Sequence, residues 1–253
     1  MGDADLDGDL DWFVTSIYNP PTGSSGNRMY RNKDGAGNIF EDQTTATGTR
    51  EGYWGWAATF GDFDNDSDLD LVHTTGQDTA FNALLDAVDF YLSDPMRYWE
   101  NIEGTLSPRE EEVGLTDTGG GKGLLRFDYD GDGDLDIFIT RTAGTPILYR
   151  NTGSSHGDFL RIRLQGSASN RGGLGAKVTL QQEAEGPVQV RELRGGNNFL
   201  SQNEYVVHFG LGKGDKPVHE VRVDWPSPAG GDGAPQIVKD LPRNTVVDLV
   251  EPP

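Results

Sequence analysis

"FDYDGDGDLDIFIT", residues 127–140, carries Asp at 128, 130, 132, 134 and 136 and runs straight into an apolar stretch. Carboxylates packed this densely repel one another. Either the side chains fan out into water or they share a cation. Two relatives of the stretch weigh on that choice: "DADLDGDLDWFV" from Asp3 and "DFDNDSDLDLVH" from Asp62. Together with "DYDGDGDLDIFI" from Asp128, all read D-x-D-x-D-[GS]-D-L-D followed by apolar residues. A solvated acidic turn has no reason to repeat this spacing; a cation-binding loop has.

Alternate Asp side chains point inward when such a loop curls, and a small residue at position six (Gly8, Ser67, Gly133) allows the bend. Hard oxygen donors in this number suit Ca²⁺, which takes about 6–8 oxygens, better than Mg²⁺, which dehydrates reluctantly. The loop opens like an EF-hand. However, position twelve is Val14, His73 or Ile139 where an EF-hand needs a bidentate Glu, and the flanks are β-branched and aromatic rather than helical. Position nine (Asp11, Asp70, Asp136) is expected to close the ring. Position seven (Asp9, Asp68, Asp134) is expected to offer its backbone carbonyl and turn its side chain outward.

The surroundings repeat as well. Gly55 and Gly121 each lie seven residues before the first Asp of their loop, and strand-like runs, "WAATFG" and "KGLLRF", lead into it. "WFVTS", "LVHTT" and "IFITR" lead out, and a Tyr and an Asn recur further on: Tyr30 and Asn32, Tyr98 and Asn101, Tyr149 and Asn151. Each unit reads strand, acidic loop, strand, turn, strand. The first aspartates, at 3, 62 and 128, are 59 and 66 residues apart. That is long for a solenoid coil and suits a propeller blade with insertions. The second unit carries an insertion, "TAFNALLDAVDFYLSDP" (79–95), in which Phe81, Leu84, Leu85, Val88 and Leu92 predict a helix stopped by Pro95.

Over residues 2–151 the loop between strands resembles the FG-GAP (VCBS-type) repeat of integrin-like β-propellers. The resemblance implies about three Ca²⁺ ions. Their expected ligands are Asp3, Asp5, Asp7, Asp9 and Asp11; Asp62, Asp64, Asp66, Asp68 and Asp70; and Asp128, Asp130, Asp132, Asp134 and Asp136. Ser67 departs from the usual Gly, which predicts a strained or weaker second loop. The first loop starts at residue 3, without a preceding strand, so the expected propeller is incomplete. Its edges must be covered by the second domain or another subunit, or the sequence is a fragment.

The acidic pattern stops in the second half. "DFLRIRLQG" alternates Leu160, Ile162 and Leu164 with Arg161 and Arg163, as a half-buried strand does. "AKVTLQQ", "VQVREL", "YVVHFGL", "VHEVRVDWP", "QIVKDL" and "TVVDLVE" follow, most of them separated by Gly, Pro or Asn. About seven short strands predict a β-sandwich or jelly-roll-like domain. "FLRIRLQGSASNRGGLGAKV" (159–178), "GGNNFLSQ" (195–202), "HFGLG" (208–212) and "VRVDWPS" (221–227) resemble the ASPIC/UnbV domain. The expected fold is all-β: an incomplete propeller at 1–151 followed by a β-sandwich-like domain at 152–253.

Charge follows this division. Residues 152–253 hold 11 Lys+Arg against 12 Asp+Glu, a net of −1, so nearly all of the formal −20 lies in residues 1–151. Such a surface repels nucleic acid and anionic lipid and attracts cations. The absence of Cys excludes disulfides, thiolate metal sites and a Cys nucleophile. No apolar run reaches the length of a membrane span, so no membrane insertion is expected, and the start shows no signal-peptide pattern. The four histidines form no zinc-peptidase pair, and "GGGKG" (119–123) lacks the Ser or Thr of a phosphate loop and reads as a strand-entry turn. Clustered Tyr53, Trp54 and Trp56 suit blade packing better than sugar stacking.

These observations favour a non-enzymatic, extracellular calcium-binding module for adhesion or surface assembly. Its expected partner is a protein or glycan at the cell surface, or other copies of the chain that complete the propeller. A polysaccharide lyase or hydrolase and a glycan-binding lectin are the alternatives.

Overall fold

The computed structural model describes residues 1–19, 21, 23–76, 93–153, 157–226 and 234–253. Most of the insertion for which a helix was predicted, Phe81 to Leu92 included, lies outside the described residues. Among the described residues there is no α-helix, and the strands form six separate sheets that close into no ring or barrel.

The first unit contains β1 (Trp12–Val14), a small ribbon of β2 (Tyr18–Asn19) and β3 (Ser24–Ser25), then β4 (Arg28–Asn32) and β5 (Phe40–Asp42). The second is a complete antiparallel meander, β6 (Gly55–Gly61), β7 (Asp70–Thr75), β8 (Arg97–Ile102) and β9 (Thr105–Pro108). The third comprises β10 (Gly121–Phe127), β11 (Asp136–Arg141) and β12 (Ile147–Tyr149). As expected, β6 and β10 begin at Gly55 and Gly121, and an acidic loop joins each to the next strand. In the first unit one residue stands in for the missing strand. Gly2 bridges Asp11, with N–H···O distances of 2.8 and 3.1 Å, as Gly61 pairs with Asp70 and Phe127 with Asp136.

Strand alternation explains how these sheets stack. Every residue of β7 is buried, because the middle sheet is covered on both faces. Leu71 and Trp99 pack to one side with Phe13 and Met29 of the first unit. Val72 and Tyr98 pack to the other with Leu124, Ile137 and Ile139 of the third. Successive side chains leave a strand on opposite faces, so two adjacent positions serve two cores.

The described residues of the second half form seven strands, in line with the about seven short runs read from the sequence: β13 (Asp158–Gln165), β14 (Lys177–Gln181), β15 (Val188–Glu192), β16 (Val207–Gly212), β17 (Val218–Asp224), β18 (Gln236–Leu241) and β19 (Thr245–Val250). A sheet ordered β16-β13-β19 and one ordered β15-β14-β17-β18 share a single core. Leu160, Ile162 and Phe209 come from the first sheet, and Val178, Leu180 and Val221 from the second. This is a β-sandwich.

Strand register changes one sequence alignment. Trp12, Leu71 and Ile137 each follow the ninth loop residue and face Tyr30, Trp99 and Tyr149 across the sheet. Trp99, not Tyr98, is therefore the counterpart of the repeated Tyr. Tyr98 sits one place earlier, and its hydroxyl donates to Asp70 Oδ2 at 3.0 Å.

Candidate metal centres

Two left-handed residues curl each loop. Position four has φ of 55° at Leu6, 60° at Asn65 and 80° at Gly131; position six has 91° at Gly8, 97° at Ser67 and 95° at Gly133. Glycine adopts these angles freely, whereas Ser67 does so against its Cβ. The curl brings carboxylate oxygens to within 4.8 Å of one another in three clusters: Asp3, Asp5 and Asp7; Asp62, Asp64 and Asp66; Asp128, Asp130 and Asp136.

Position nine has a second job, identical in all three loops. One oxygen accepts the amide of position two, from Ala4, Phe63 or Tyr129, at 2.8–3.1 Å. The other accepts the amide of the repeated Asn, from Asn32, Asn101 or Asn151, at 2.8–3.0 Å. Asp11, Asp70 and Asp136 thus clamp each loop to its own sheet, and only Asp136 also belongs to a converging cluster. At position seven the outward side chain expected from the sequence is corrected in two loops. Asp68 accepts the Glu103 amide at 2.6 Å, from the β8–β9 turn of its own unit, and Asp134 accepts Asn65 Nδ2 at 2.8 Å, from the preceding loop.

The donor set can be tested for its fit to a cation. Asp3 is fully buried and neither of its carboxylate oxygens has a hydrogen-bond partner; Oδ1 of Asp5 is likewise buried and unpartnered. A buried charge without a partner is costly, and a hard cation shared by these oxygens removes that cost. Burial pushes the Asp3 carboxyl up to about 7, against the opposing field of Arg191. It pushes Asp62 up to about 8, again opposed by Arg191 and reinforced by Asp66 and Asp64. Asp70 is raised well above the usual carboxylate range, chiefly by burial. The residues fit calcium: all-oxygen, anionic and crowded.

The loops differ in their built-in cations. The residue before the repeated Asn is Arg31 in the first unit and Arg150 in the third. Arg31 pairs with Asp5 at 2.7 Å, and Arg150 with Asp130 at 2.6 Å. In the second unit that place is taken by Glu100, which pairs with Arg109 instead. The "YRN" of units one and three, against "WEN" in unit two, was the available sequence signal.

The asparagines also join the units. Asn101 Nδ2 donates to Leu69 O of its own loop (3.1 Å) and to Ala4 O of the preceding loop (2.9 Å). Asn151 Nδ2 does the same with Leu135 O (3.3 Å) and Phe63 O (2.6 Å).

Among the other sequence candidates, His73 is fully buried in an aromatic nest, its ring 5.2 Å from Trp99 and 6.1 Å from Phe13. Asn27 Nδ2 approaches its Nε2 at 3.2 Å, leaving Nδ1–H to donate to Thr74 O at 3.1 Å. Burial lowers its pKa to about 4. Trp54 and Trp56 stack in parallel, Trp56 Nε1 donates to Gly76 O, and Lys122 of the "GGGKG" turn lies 4.0 Å over the Trp56 ring. These are packing roles.

Residues 3–73 match the family model of the FG-GAP-like repeat, and residues 166–253 match that of ASPIC and UnbV. Along the chain an FG-GAP-like match thus precedes an ASPIC and UnbV match. It is similar to cartilage acidic protein 1 of Homo sapiens, 29% identical over 198 residues, covering 76% of this chain and 27% of that protein. The Mus musculus protein of the same name is 28% identical over 76% of this chain and 28% of its own length. The Xenopus tropicalis one is 31% identical over 53% of this chain and 20% of its own length. The chain thus spans about a quarter of the length of the mammalian relatives it matches. No helix among the described residues is long and apolar enough to cross a membrane.

Proposed function

We propose that this chain is a non-enzymatic, calcium-loaded extracellular module whose assembled surface binds protein partners. The division at residues 151 and 152 belongs to the same reading: Asn151 closes the last repeat, and β13 opens the sandwich soon after. Each acidic loop holds one ion, giving about three. Positions one, three and five of each loop supply side-chain oxygens: Asp3, Asp5 and Asp7; Asp62, Asp64 and Asp66; Asp128, Asp130 and Asp132. Position seven (Asp9, Asp68, Asp134) supplies a backbone carbonyl. Position nine (Asp11, Asp70, Asp136) closes the ring while keeping its clamp on the sheet.

The observation that carries this reading is the fully buried Asp3 carboxylate with no hydrogen-bond partner, set in a cluster that recurs twice more. The FG-GAP-like match over residues 3–73 supports it, as does similarity to proteins named for cartilage and for acidity. Extracellular loops of this chemistry commonly bind calcium at ~10⁻⁴–10⁻³ M, so they fill outside cells and empty in cytosol. The ions would reduce the charge concentrated in the first half and convert binding energy into folding energy.

Native mass spectrometry with calcium and with EGTA tests the reading. About three bound ions and a marked rise in melting temperature with millimolar calcium are expected. A mass and a melting temperature indifferent to EGTA would leave the loops as acidic turns and sink the proposal.

A further inference from the structure

We propose that the second acidic loop is also the seat of the C-terminal sandwich, so that the ion-filled loop locks the two halves together and its emptying loosens the joint. This rests on the calcium reading above and goes beyond it, because it assigns the loop a regulatory contact.

The sandwich touches the residues that shape the ring. Gly210 N of β16 donates to Asp62 Oδ2 at 3.1 Å. Gly212 N donates to Asn65 O at 2.7 Å, and Gly157 N to Asp64 O at 2.9 Å. Ser67 Oγ donates to Gly210 O at 3.2 Å and accepts Gln182 Nε2 at 3.1 Å. His208 Nε2 lies 2.8 Å from Asn65 Oδ1. Positions one, three, four and six of one loop are therefore held by the other half of the chain. The approach is so close that a Cβ on Gly210 would collide with Asp62 Oδ2 and Asn65 Cα.

The third loop meets the same half. Arg161 of β13, which is buried, pairs with Asp128 at 2.7 Å. Gly133 lies so close to the Phe159 ring that no Cβ fits between them.

Loop two lacks the arginine that the other two loops receive from their own units, so a bound ion contributes to keeping this shape. Its carboxylates have Glu100 where the other loops have Arg31 and Arg150. Net charge does little to hold the halves together, because the sandwich is nearly neutral; the attraction across the joint comes from buried Arg191, whose field acts on Asp62, and from Arg161 on Asp128. At loop two the joint rests on short contacts to a loop whose own like charges push it apart, beside the Arg161–Asp128 pair at loop three. A cation that gathers Asp62, Asp64 and Asp66 fixes the Asp62 oxygen and the Asp64 and Asn65 carbonyls to which the sandwich binds. Coupling of this kind is reciprocal: a seated sandwich tightens calcium binding by the factor by which calcium tightens the seat.

Gly210 and Gly212 report on the joint directly, since both amides donate across it. The experiment combines calcium calorimetry with amide-exchange NMR on the full chain. Saturating calcium should slow exchange at both amides by about tenfold or more relative to EGTA, and Gly210→Ala should weaken calcium binding at one site by about fivefold or more. Gln182→Ala, which removes side-chain bonds to Ser67 across the joint and to Arg243 within the sandwich, should speed exchange at both amides while the core β13 amides stay protected. If calorimetry shows calcium binding but these two amides exchange equally with and without it, the coupling is refuted and the calcium reading stands. Unchanged calcium affinity in Gly210→Ala with its joint opened refutes it as well. An absence of calcium binding overturns both readings.

Discussion

Ser67 allows backbone strain and the contacts that offset it to be separated. Its φ of 97° falls where the equivalent residues are glycines, and a non-glycine residue held there costs on the order of 1–3 kcal/mol. Its hydroxyl makes two bonds to the sandwich, at 3.1 and 3.2 Å. Each contributes about 0.5–1.5 kcal/mol, toward the lower end here because Gly210 O keeps a second bond from Gln189 Nε2 at 2.8 Å. Ser67→Ala loses the bonds and keeps the strain, so it should cost about 1–2 kcal/mol. Ser67→Gly loses the same bonds but sheds the strain, against roughly 0.5–1 kcal/mol of added chain entropy in the unfolded state. It should therefore lie within about 1 kcal/mol of the parent and above the alanine variant by about 1 kcal/mol. Urea unfolding followed by tryptophan fluorescence in EGTA measures both without the contribution of metal. An alanine variant as stable as the glycine variant, or more so, would refute the reasoning.

The other predictions concern the repeats. Asn151→Ala leaves the Phe63 and Leu135 carbonyls without their side-chain donor. It should cost about 2–3 kcal/mol in urea midpoints, with no change expected if the bonds contribute nothing. The folded pKa of His73 lies below its unfolded value, so its neutral burial costs nothing above pH 6.5 and stability falls as pH drops toward about 4. Between pH 7 and 5 in EGTA the parent should lose about 2 kcal/mol more than His73→Gln, and parallel stability curves would contradict this. Glu100→Arg places a guanidinium over loop two, as Arg31 and Arg150 do over the others. It should weaken one calcium site by roughly tenfold or more, because the swap changes the nearby charge by two units, and calorimetry reads the result directly.

Much of this architecture is written locally. Alternating Asp with a small residue at position six forces the curl, and Gly55 and Gly121 mark where β6 and β10 begin. The seven runs of the second half coincide with the seven strands formed by its described residues, with Gly, Pro or Asn separating most of them and β13 alternating most clearly. Other features depend on pairing between distant strands. Tyr98 and Trp99 are adjacent aromatics; the two-residue spacing to the repeated Asn points to Trp99 as the match for Tyr30, and the register of β7 with β8 settles it. The clamp at position nine requires an amide from a strand up to 31 residues further along the chain. The seat on loop two joins Asp62 to Gly210, a separation of 148 residues, and no periodic pattern in either segment announces it. Ser67 was visible as a departure from Gly, but the bonds that offset its strain lie in the other half of the chain.

The way the units are joined also bears on how such arrays change over generations. Asn101 and Asn151 grip main-chain carbonyls at position two of the preceding loop, where the side chains are those of Ala4 and Phe63. A main-chain acceptor presents the same oxygen whatever residue carries it. This bond is therefore indifferent to drift at the residue it touches. When modules are duplicated or shuffled it carries over unchanged, and the packed apolar faces are the part of each seam that must match. The joint to the sandwich is the opposite case: it is built from particular glycines and arginines and ties the last modules to one specific neighbour.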